Sequence, residues 1–324
     1  EPSHLNARIN LGNILVDVGR LDDAIIQFKK VIELNPKDIL ALVNLGNVYR
    51  RMGLAEKAIN TYGRVLSFQA HDGLRIRSAV TLPVVYKSLD HIKEVREGLE
   101  LKLEKLLEED LEVSDPSLET STTNFFLAYQ NYNDRDLQKI IANIHLNSCP
   151  RLGWTAPHCN GVKREREKIK IGFLSAYFYR HSVGRMMVGL ISQIPKNLFE
   201  VVVITTKGQK HSIALKIQGA ADHLVYISEN LIEMQEEIGQ QKLDVLFYAD
   251  IGMDVRSYFL AFARLAPIQC LTWGHPDTSG IPNMDTFLSS SLIEPADAKN
   301  HYSENLHCFS TLPTIYYRPN IPER

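Results

Sequence analysis

The stretch Ala266-Pro267-Ile268-Gln269-Cys270-Leu271-Thr272-Trp273-Gly274-His275-Pro276-Asp277-Thr278-Ser279-Gly280 decides how the second half of the chain is read. It is a short apolar strand, Ile268 to Trp273, running straight into a stiff polar loop. Pro276 and two glycines fix the path of that loop, and His275, Asp277, Thr278 and Ser279 crowd onto it. In a parallel α/β sheet ligands bind beyond the carboxyl ends of the strands. His275, Thr278, Ser279 and Gly280 are therefore candidate ligand-binding residues.

Working outward, the same rhythm of apolar strand and amphipathic helix extends back to Lys168. Strands are expected at 169–175, 199–205, 224–227, 243–248, 268–273 and 286–289. Helices are expected at 183–194, 213–221, 231–240 and 256–265. Such alternation specifies parallel βαβ units with right-handed crossovers. Central strands that are apolar throughout fit a sheet covered on both faces.

Two further strand ends then matter. The first carries Ala176-Tyr177-Phe178-Tyr179-Arg180-His181-Ser182-Val183-Gly184-Arg185, the fourth Ala249-Asp250-Ile251-Gly252-Met253-Asp254. The glycine pattern of a dinucleotide fingerprint is absent. His181, Ser182 and Arg185 fall where a helix begins, and helix N-termini suit anionic ligands. A histidine there is a candidate proton carrier near neutral pH; the plain alternative is a helix cap.

The front of the chain has a different period. Leu11-Gly12 recurs as Leu45-Gly46, Gly19 as Gly53, Ala24 as Ala58, Phe28 as Tyr62 and Val31 as Val65, each 34 residues on. That is the period of tetratricopeptide repeats, paired helices that stack into a solenoid. Leu11, Gly12 and Ala24 read as packing residues. Asn35-Pro36-Lys37-Asp38 ends the second helix; at the end of the second repeat Ala70 replaces the proline. Two repeats are few for a solenoid, and the start at Glu1-Pro2 gives the expectation of further repeats upstream. Between repeats and sheet, residues 74–111 read as helical, with Leu99, Leu103, Leu106 and Leu107 on one face. After the turn Ser114-Asp115-Pro116-Ser117, residues 124–144 read as helical again, Tyr129 and Tyr132 filling a core or interface. The expected organisation is repeats at 1–70, a helical linker at 71–167 and a Rossmann-like lobe at 168–324.

Composition narrows the function classes. The 324 residues carry a net charge of −2, so nothing favours a nucleic-acid partner. No apolar run approaches the ~20 residues of a membrane span, and no secretory signal opens the chain. Lys163-Arg164-Glu165-Arg166-Glu167-Lys168 is mixed in sign and reads as a solvated linker. The four cysteines, Cys149, Cys159, Cys270 and Cys308, form no CxxC pair, which fits reduced thiols in the cytoplasm. His145, Cys149, His158 and Cys159 match the spacing of no common zinc module and read as ordinary linker residues.

The loop quoted first also resembles the Pro-Ile-Gln…Gly-(Tyr/His)-Pro-x-Thr-(Ser/Thr)-Gly run of the protein O-GlcNAc transferase and SPINDLY-type glycosyltransferases. Ser175, Tyr177, Phe178 and His181 match that family's Ser-x-Asp-Phe-x-x-His segment, with Tyr177 in place of the acid. Glu294-Pro295-Ala296-Asp297…Tyr302-Ser303-Glu304 is similar to its Ser-Pro-Ala-Glu…Tyr-Ser-Glu stretch. The resemblance implies a tetratricopeptide solenoid followed by an α/β Rossmann-like lobe, the first half of a GT-B glycosyltransferase. It implies inverting transfer of N-acetylglucosamine from UDP-N-acetylglucosamine (UDP-GlcNAc) to Ser or Thr of protein acceptors held by the repeat groove, without metal or other cofactor. His181 takes the family's active-site histidine role. Tyr177, Ser182, Arg185, Asp250, His275, Thr278, Ser279 and Gly280 are expected to line the substrates, with Asp250 and Asp254 as neighbouring sources of acidity. In the family most nucleotide contacts lie in a second lobe, expected to begin near Pro319-Asn320-Ile321-Pro322-Glu323-Arg324. A chain ending there would be incomplete for activity. Two other readings stand: a repeat scaffold without chemistry, and a related enzyme using a fucose or glucose donor. The implied location is cytoplasmic, and nuclear too in a eukaryote.

Overall fold

The computed structural model describes residues 4–161, 167–206 and 210–318. The charged stretch Lys163–Arg166, the opening Glu1-Pro2 and the end Pro319–Arg324 lie outside the described residues. The chain forms two compact units, Glu1–Ser121 and Thr122–Arg324. The segment 71–167, expected as one linker, is shared between them.

The first unit begins with two antiparallel helix pairs: α1 (Leu5–Asp17) with α2 (Leu21–Leu34), and α3 (Ile39–Arg51) with α4 (Ala55–Leu66). The 34-residue repeat is a packing repeat. A Cβ on Gly12 would come within 2.5 Å of the Phe28 ring, and one on Gly46 within 2.3 Å of the Tyr62 ring. A glycine in each first helix thus lets the aromatic of the second lie against bare backbone. Ala24, Phe28, Val31, Ala58, Tyr62 and Val65 are fully buried. Asp38, after the Asn35-Pro36 break, caps α3 by accepting from the Ala41 amide at 2.9 Å. Leu45 is 4% exposed, but Leu11, its counterpart, is 45% exposed and does not pack as expected. No earlier helix among the described residues covers it.

The expected helix over 74–111 is interrupted. α5 (Asp72–Ala79) stops before Pro83, and α6 (Leu89–Leu107) restarts with Ser88 accepting from the His91 amide. Proline lacks an N–H and forces the residue before it out of helical geometry. Leu99, Leu103 and Leu106 are buried on α6, while Leu107 is 36% exposed. α7 (Pro116–Glu119) closes the unit. Buried Arg77 donates to the carbonyls of Leu118, Glu119 and Thr120 at its end.

The second unit opens with another correction. Residues 124–134 are not helical apart from a 3₁₀ turn at Leu127–Tyr129, and α8 covers Arg135–Ser148. Asn131 sits at φ 60°, and Asn133 Oδ1 accepts from the Arg135 amide at 3.0 Å. Asn and Asp side chains compete with helix in this way. His145, Cys149, His158 and Cys159 read from the sequence as ordinary linker residues. His145 lies edge-on to Tyr258, Phe259 and Phe262, and among the described residues no three metal-ligating side chains converge.

The sheet follows, its strands numbered β1 (Ile169–Leu174), β2 (Phe199–Thr205), β3 (His223–Tyr226), β4 (Val245–Tyr248), β5 (Ile268–Thr272), β6 (Thr286–Ser290) and β7 (Asn305–Phe309). They lie in the order β3-β2-β1-β4-β5-β6-β7, and every neighbouring pair is parallel. The helices between them are α9 (Ser182–Gln193), α10 (Ser212–Ala220), α11 (Leu231–Gln240) and α12 (Val255–Leu260). β2 is the most deeply buried stretch, Val201 to Ile204 having no exposed surface, which is why it reads as a continuous apolar run. β7, not anticipated, is a short edge strand whose residues are largely exposed. The order of strands reverses between β1 and β4, so a crevice opens beyond their carboxyl ends.

Candidate functional site

Three turns meet at that edge, those following β1, β4 and β5. The β1 and β4 turns are joined by Asp250. Its Oδ2 accepts from Ser175 Oγ at 2.8 Å and from the Ala176 amide at 3.1 Å. Ser175 Oγ in turn accepts from the Tyr177 amide at 2.8 Å. Asp250 has no exposed surface, and its Oδ1 has no partner. Burial, reinforced by Asp254, pushes its carboxyl up to about 7. A second link runs from Tyr177 Oη, which donates to the Met253 carbonyl at 3.4 Å. Asp254 caps α12 through the Arg256 and Ser257 amides.

His181 is the N-cap of α9. Its Nδ1 accepts from the Val183 amide at 3.3 Å, and its ring stacks on Tyr177 with centroids 4.5 Å apart. Partial burial lowers its basicity. Burial, with Asp254 and Asp250 adding to it, drives the Tyr177 phenol up to about 12. Ser182 and Arg185 are exposed on the first turn of α9. Gly184 lets that turn close, since a Cβ there would lie 2.2 Å from the Tyr179 carbonyl oxygen.

The loop after β5 is built inward. A Cβ on Gly274 would fall 1.6 Å from the Ala249 carbonyl oxygen, so the loop presses directly on the end of β4. His275 is 4% exposed, lies against Gly252 and stacks on Phe125 at 4.8 Å. Neither of its ring nitrogens has a partner, and burial holds its pKa down at about 4. Asp277 accepts from Gln138 Nε2 and from the Thr278 amide, both at 2.8 Å. Burial first, then Asp134, raises its carboxyl to about 7.

Thr278, Ser279 and Gly280 all engage the segment before β7. Thr278 Oγ1 donates to Glu304 Oε2 at 2.6 Å. The Ser279 amide donates to Glu304 Oε1 at 2.9 Å, and the Ser279 hydroxyl donates to the same oxygen. The Gly280 amide donates to Ser303 Oγ at 3.1 Å, with Gly280 at φ 70°. These side chains lock the loop rather than project from it.

The expected residues thus separate into two sets. Tyr177, Ser182 and His181 share the β1 turn and the start of α9, with Asp250 beneath and Arg185 beside them. His275, Thr278, Ser279 and Gly280 form the buried wall of the β5 loop. Sequence reasoning missed Ser175 as the bridge to Asp250, Phe125 as the ring against His275, and Glu304 as the acceptor for the loop. Glu304 had a signal in the Tyr302-Ser303-Glu304 stretch and Ser175 in the Ser175-to-His181 match; Phe125 left none.

Paired helical repeats followed by a doubly wound parallel sheet, with a histidine-bearing turn at its switch point, define a repeat-bearing protein with a Rossmann-type lobe. The profile described as "Glycosyl transferase family 41" matches residues 134–317, more than half of the chain, and the chain belongs to that family. Tetratricopeptide repeat profiles match residues 12–53 and 41–72. The chain is 25% identical over 203 residues to the Arabidopsis thaliana "Probable UDP-N-acetylglucosamine--peptide N-acetylglucosaminyltransferase SPINDLY", covering 59% of this chain and 22% of that protein. It is 24% identical over 144 residues to the Caenorhabditis elegans UDP-N-acetylglucosamine--peptide N-acetylglucosaminyltransferase, covering 43% of this chain and 12% of that protein. A solved structure of a mutant Thermobaculum terrenum O-GlcNAc transferase superposes with a TM-score of 0.61 over 95% of this chain and 57% of that one. At 18% identity it shows the fold alone. The chain spans about a fifth or less of the curated relatives it matches.

Proposed function

We propose that this chain is the repeat-bearing, acceptor-side part of a protein O-glycosyltransferase, inverting transfer of N-acetylglucosamine from UDP-GlcNAc to Ser or Thr hydroxyls. The observation that carries this reading is the family match over residues 134–317, with His181 of the matching segment at the switch point of the sheet. In the reaction a hydroxyl oxygen attacks the anomeric carbon, the sugar–phosphate bond breaks with its electron pair on the diphosphate, and the hydroxyl proton passes to that departing diphosphate or to solvent. Negative charge gathers on the departing diphosphate, so donors aimed at substrate oxygen lower the barrier. The turn after β1 supplies such groups in His181, Ser182 and Arg185. The repeats offer a surface for polypeptide acceptors. The reading extends to catalysis without a metal and to a cytoplasmic location. Among the described residues no helix is long and apolar enough to cross a membrane.

One observation favours the scaffold reading: with Tyr177 in place of an acid and Asp250 fully buried, the β1 turn shows no exposed carboxylate. The full-length protein, incubated with Ser/Thr peptides and separately with UDP-GlcNAc, UDP-glucose and GDP-fucose, decides between the readings by mass spectrometry. A peptide gaining the mass of N-acetylglucosamine is the expected result. Modification from another donor alone replaces the donor assignment, and no modification from any donor supports the scaffold.

A further inference from the structure

His181, the N-cap of α9 in the turn after β1, has one ring nitrogen already committed. A backbone amide can donate a hydrogen bond and cannot accept one. The Val183 amide points at Nδ1 at 3.3 Å, so Nδ1 of the neutral ring carries a lone pair. In a neutral imidazole the other nitrogen then bears the hydrogen. That nitrogen, Nε2, makes no hydrogen bond within the protein and is not buried. Rotation of the ring is restrained by the stack on Tyr177, whose plane lies 25° from that of the imidazole. Tyr177 is itself anchored at both ends, by its amide to Ser175 Oγ and by its hydroxyl to the Met253 carbonyl.

We infer that His181 works as a fixed hydrogen-bond donor, presenting Nε2–H to an oxygen lone pair of the substrates, and that it does not take the acceptor's proton. The cap and the stack set the tautomer before any substrate arrives. Accepting a proton at Nε2 would require moving the ring hydrogen to Nδ1, into the space of the Val183 amide hydrogen. Asp250 acts one step further back as a positioning residue. Its Oδ2 holds Ser175, Ser175 holds the Tyr177 amide, and Tyr177 holds the imidazole. The catalytic meaning of the inference rests on the glycosyltransferase reading, whereas the tautomer itself does not.

The test has a spectroscopic arm and a kinetic arm. Protein labelled with ¹⁵N in the histidine rings is measured at pH 7.5, with the His181 signals assigned by their loss in His181→Gln. The expected spectrum shows Nδ1 as the bare nitrogen and Nε2 as the N–H nitrogen. An Nδ1–H ring, or an even mixture of tautomers, overturns the inference. In the kinetic arm His181→Gln places an N–H donor where Nε2 was, and His181→Asn keeps only the cap. Neither amide can act as a base. Transfer by the Gln variant is expected within about tenfold of wild type, while the Asn variant loses about a hundredfold, the scale of one charge-assisted hydrogen bond. Gln and Asn variants that fall equally, with unchanged melting, overturn the donor role. A rise in KM for the sugar nucleotide or for the peptide in the Asn variant tells which substrate supplies the oxygen. If the wild-type protein transfers no sugar from any donor, the glycosyltransferase reading fails, and the spectrum still decides the tautomer.

Discussion

The imidazole of His275 lies nearly flat against the ring of Phe125, centroids 4.8 Å apart and planes 22° from parallel, although the two residues are 150 positions apart in the chain. Contact continues from His275 to Gly252, the next residue Met253 accepts from Tyr177, and Tyr177 stacks on His181. Two ring pairs, linked through Gly252 and Met253, therefore make a band of contacts across the carboxyl ends of β5, β4 and β1. The buried loop and the exposed turn are parts of one packed edge.

Tyr177 tests how that edge is tuned. Tyr177→Asp restores the acid of the family pattern but places it beside Asp250 and Asp254, both of which already act on the phenol. Desolvation and like charge raise the pKa of such a carboxyl. A raised folded-state pKa means that stability is lost as pH rises through it. The variant is expected to melt close to wild type at pH 5 and to be destabilised by about 1–3 kcal/mol at pH 8. Trp154 and Trp273 are the two tryptophans of the chain and both belong to the second unit, so tryptophan fluorescence reads this unit alone.

Glu304 holds the β5 loop. Glu304→Ala leaves the Thr278 hydroxyl and the Ser279 amide and hydroxyl without their acceptor. Buried donors stripped of a charged partner cost about 1–3 kcal/mol each and do not add fully. A loss of about 3 kcal/mol in urea unfolding followed by tryptophan fluorescence is expected, with Glu304→Gln milder because an amide oxygen still accepts. An Ala variant as stable as wild type would show that the loop holds its own shape.

What could be read in the sequence follows from range. Gly12 with Phe28 and Gly46 with Tyr62 are local pairs repeated in register, so their period announces the packing. β1, β4 and β5 are apolar runs bounded by polar turns, and a parallel sheet puts their carboxyl ends on one edge whatever the details. The breaks at 80–88 and 124–134 were hidden because apolar spacing persists across them. There Pro83 and the Asn131–Asp134 run override the pattern. β7 was hidden because a five-residue exposed edge strand buries no face that would impose a strong apolar pattern. The inward turn of Thr278 and Ser279 depends on Glu304, and that of His275 on Phe125; neither contact is encoded locally.

His145 gives the second unit a defined response to acid. Burial lowers its pKa to about 3, below the ~6.5 of the unfolded chain. The unfolded state therefore binds the proton first, and the stability associated with the neutral ring is present above pH 6.5 and lost as pH falls toward 3. His145→Phe keeps an aromatic against Tyr258, Phe259 and Phe262 and removes the titration. Relative to wild type, the variant is expected to gain roughly 2–3 kcal/mol between pH 7 and pH 4.5. Parallel stability curves for the two proteins would show that His145 is not the group that charges.

The most direct measurement is the initial rate of sugar transfer from UDP-GlcNAc to a Ser/Thr peptide by the full-length protein and by His181→Ala, each melted alongside. Loss of the His181 donor is expected to lower the rate by about 10²–10³-fold, and loss of its cap to cost only about 1 kcal/mol of stability. A His181→Ala protein that transfers sugar at the wild-type rate would contradict the placement of the reaction at the turn after β1.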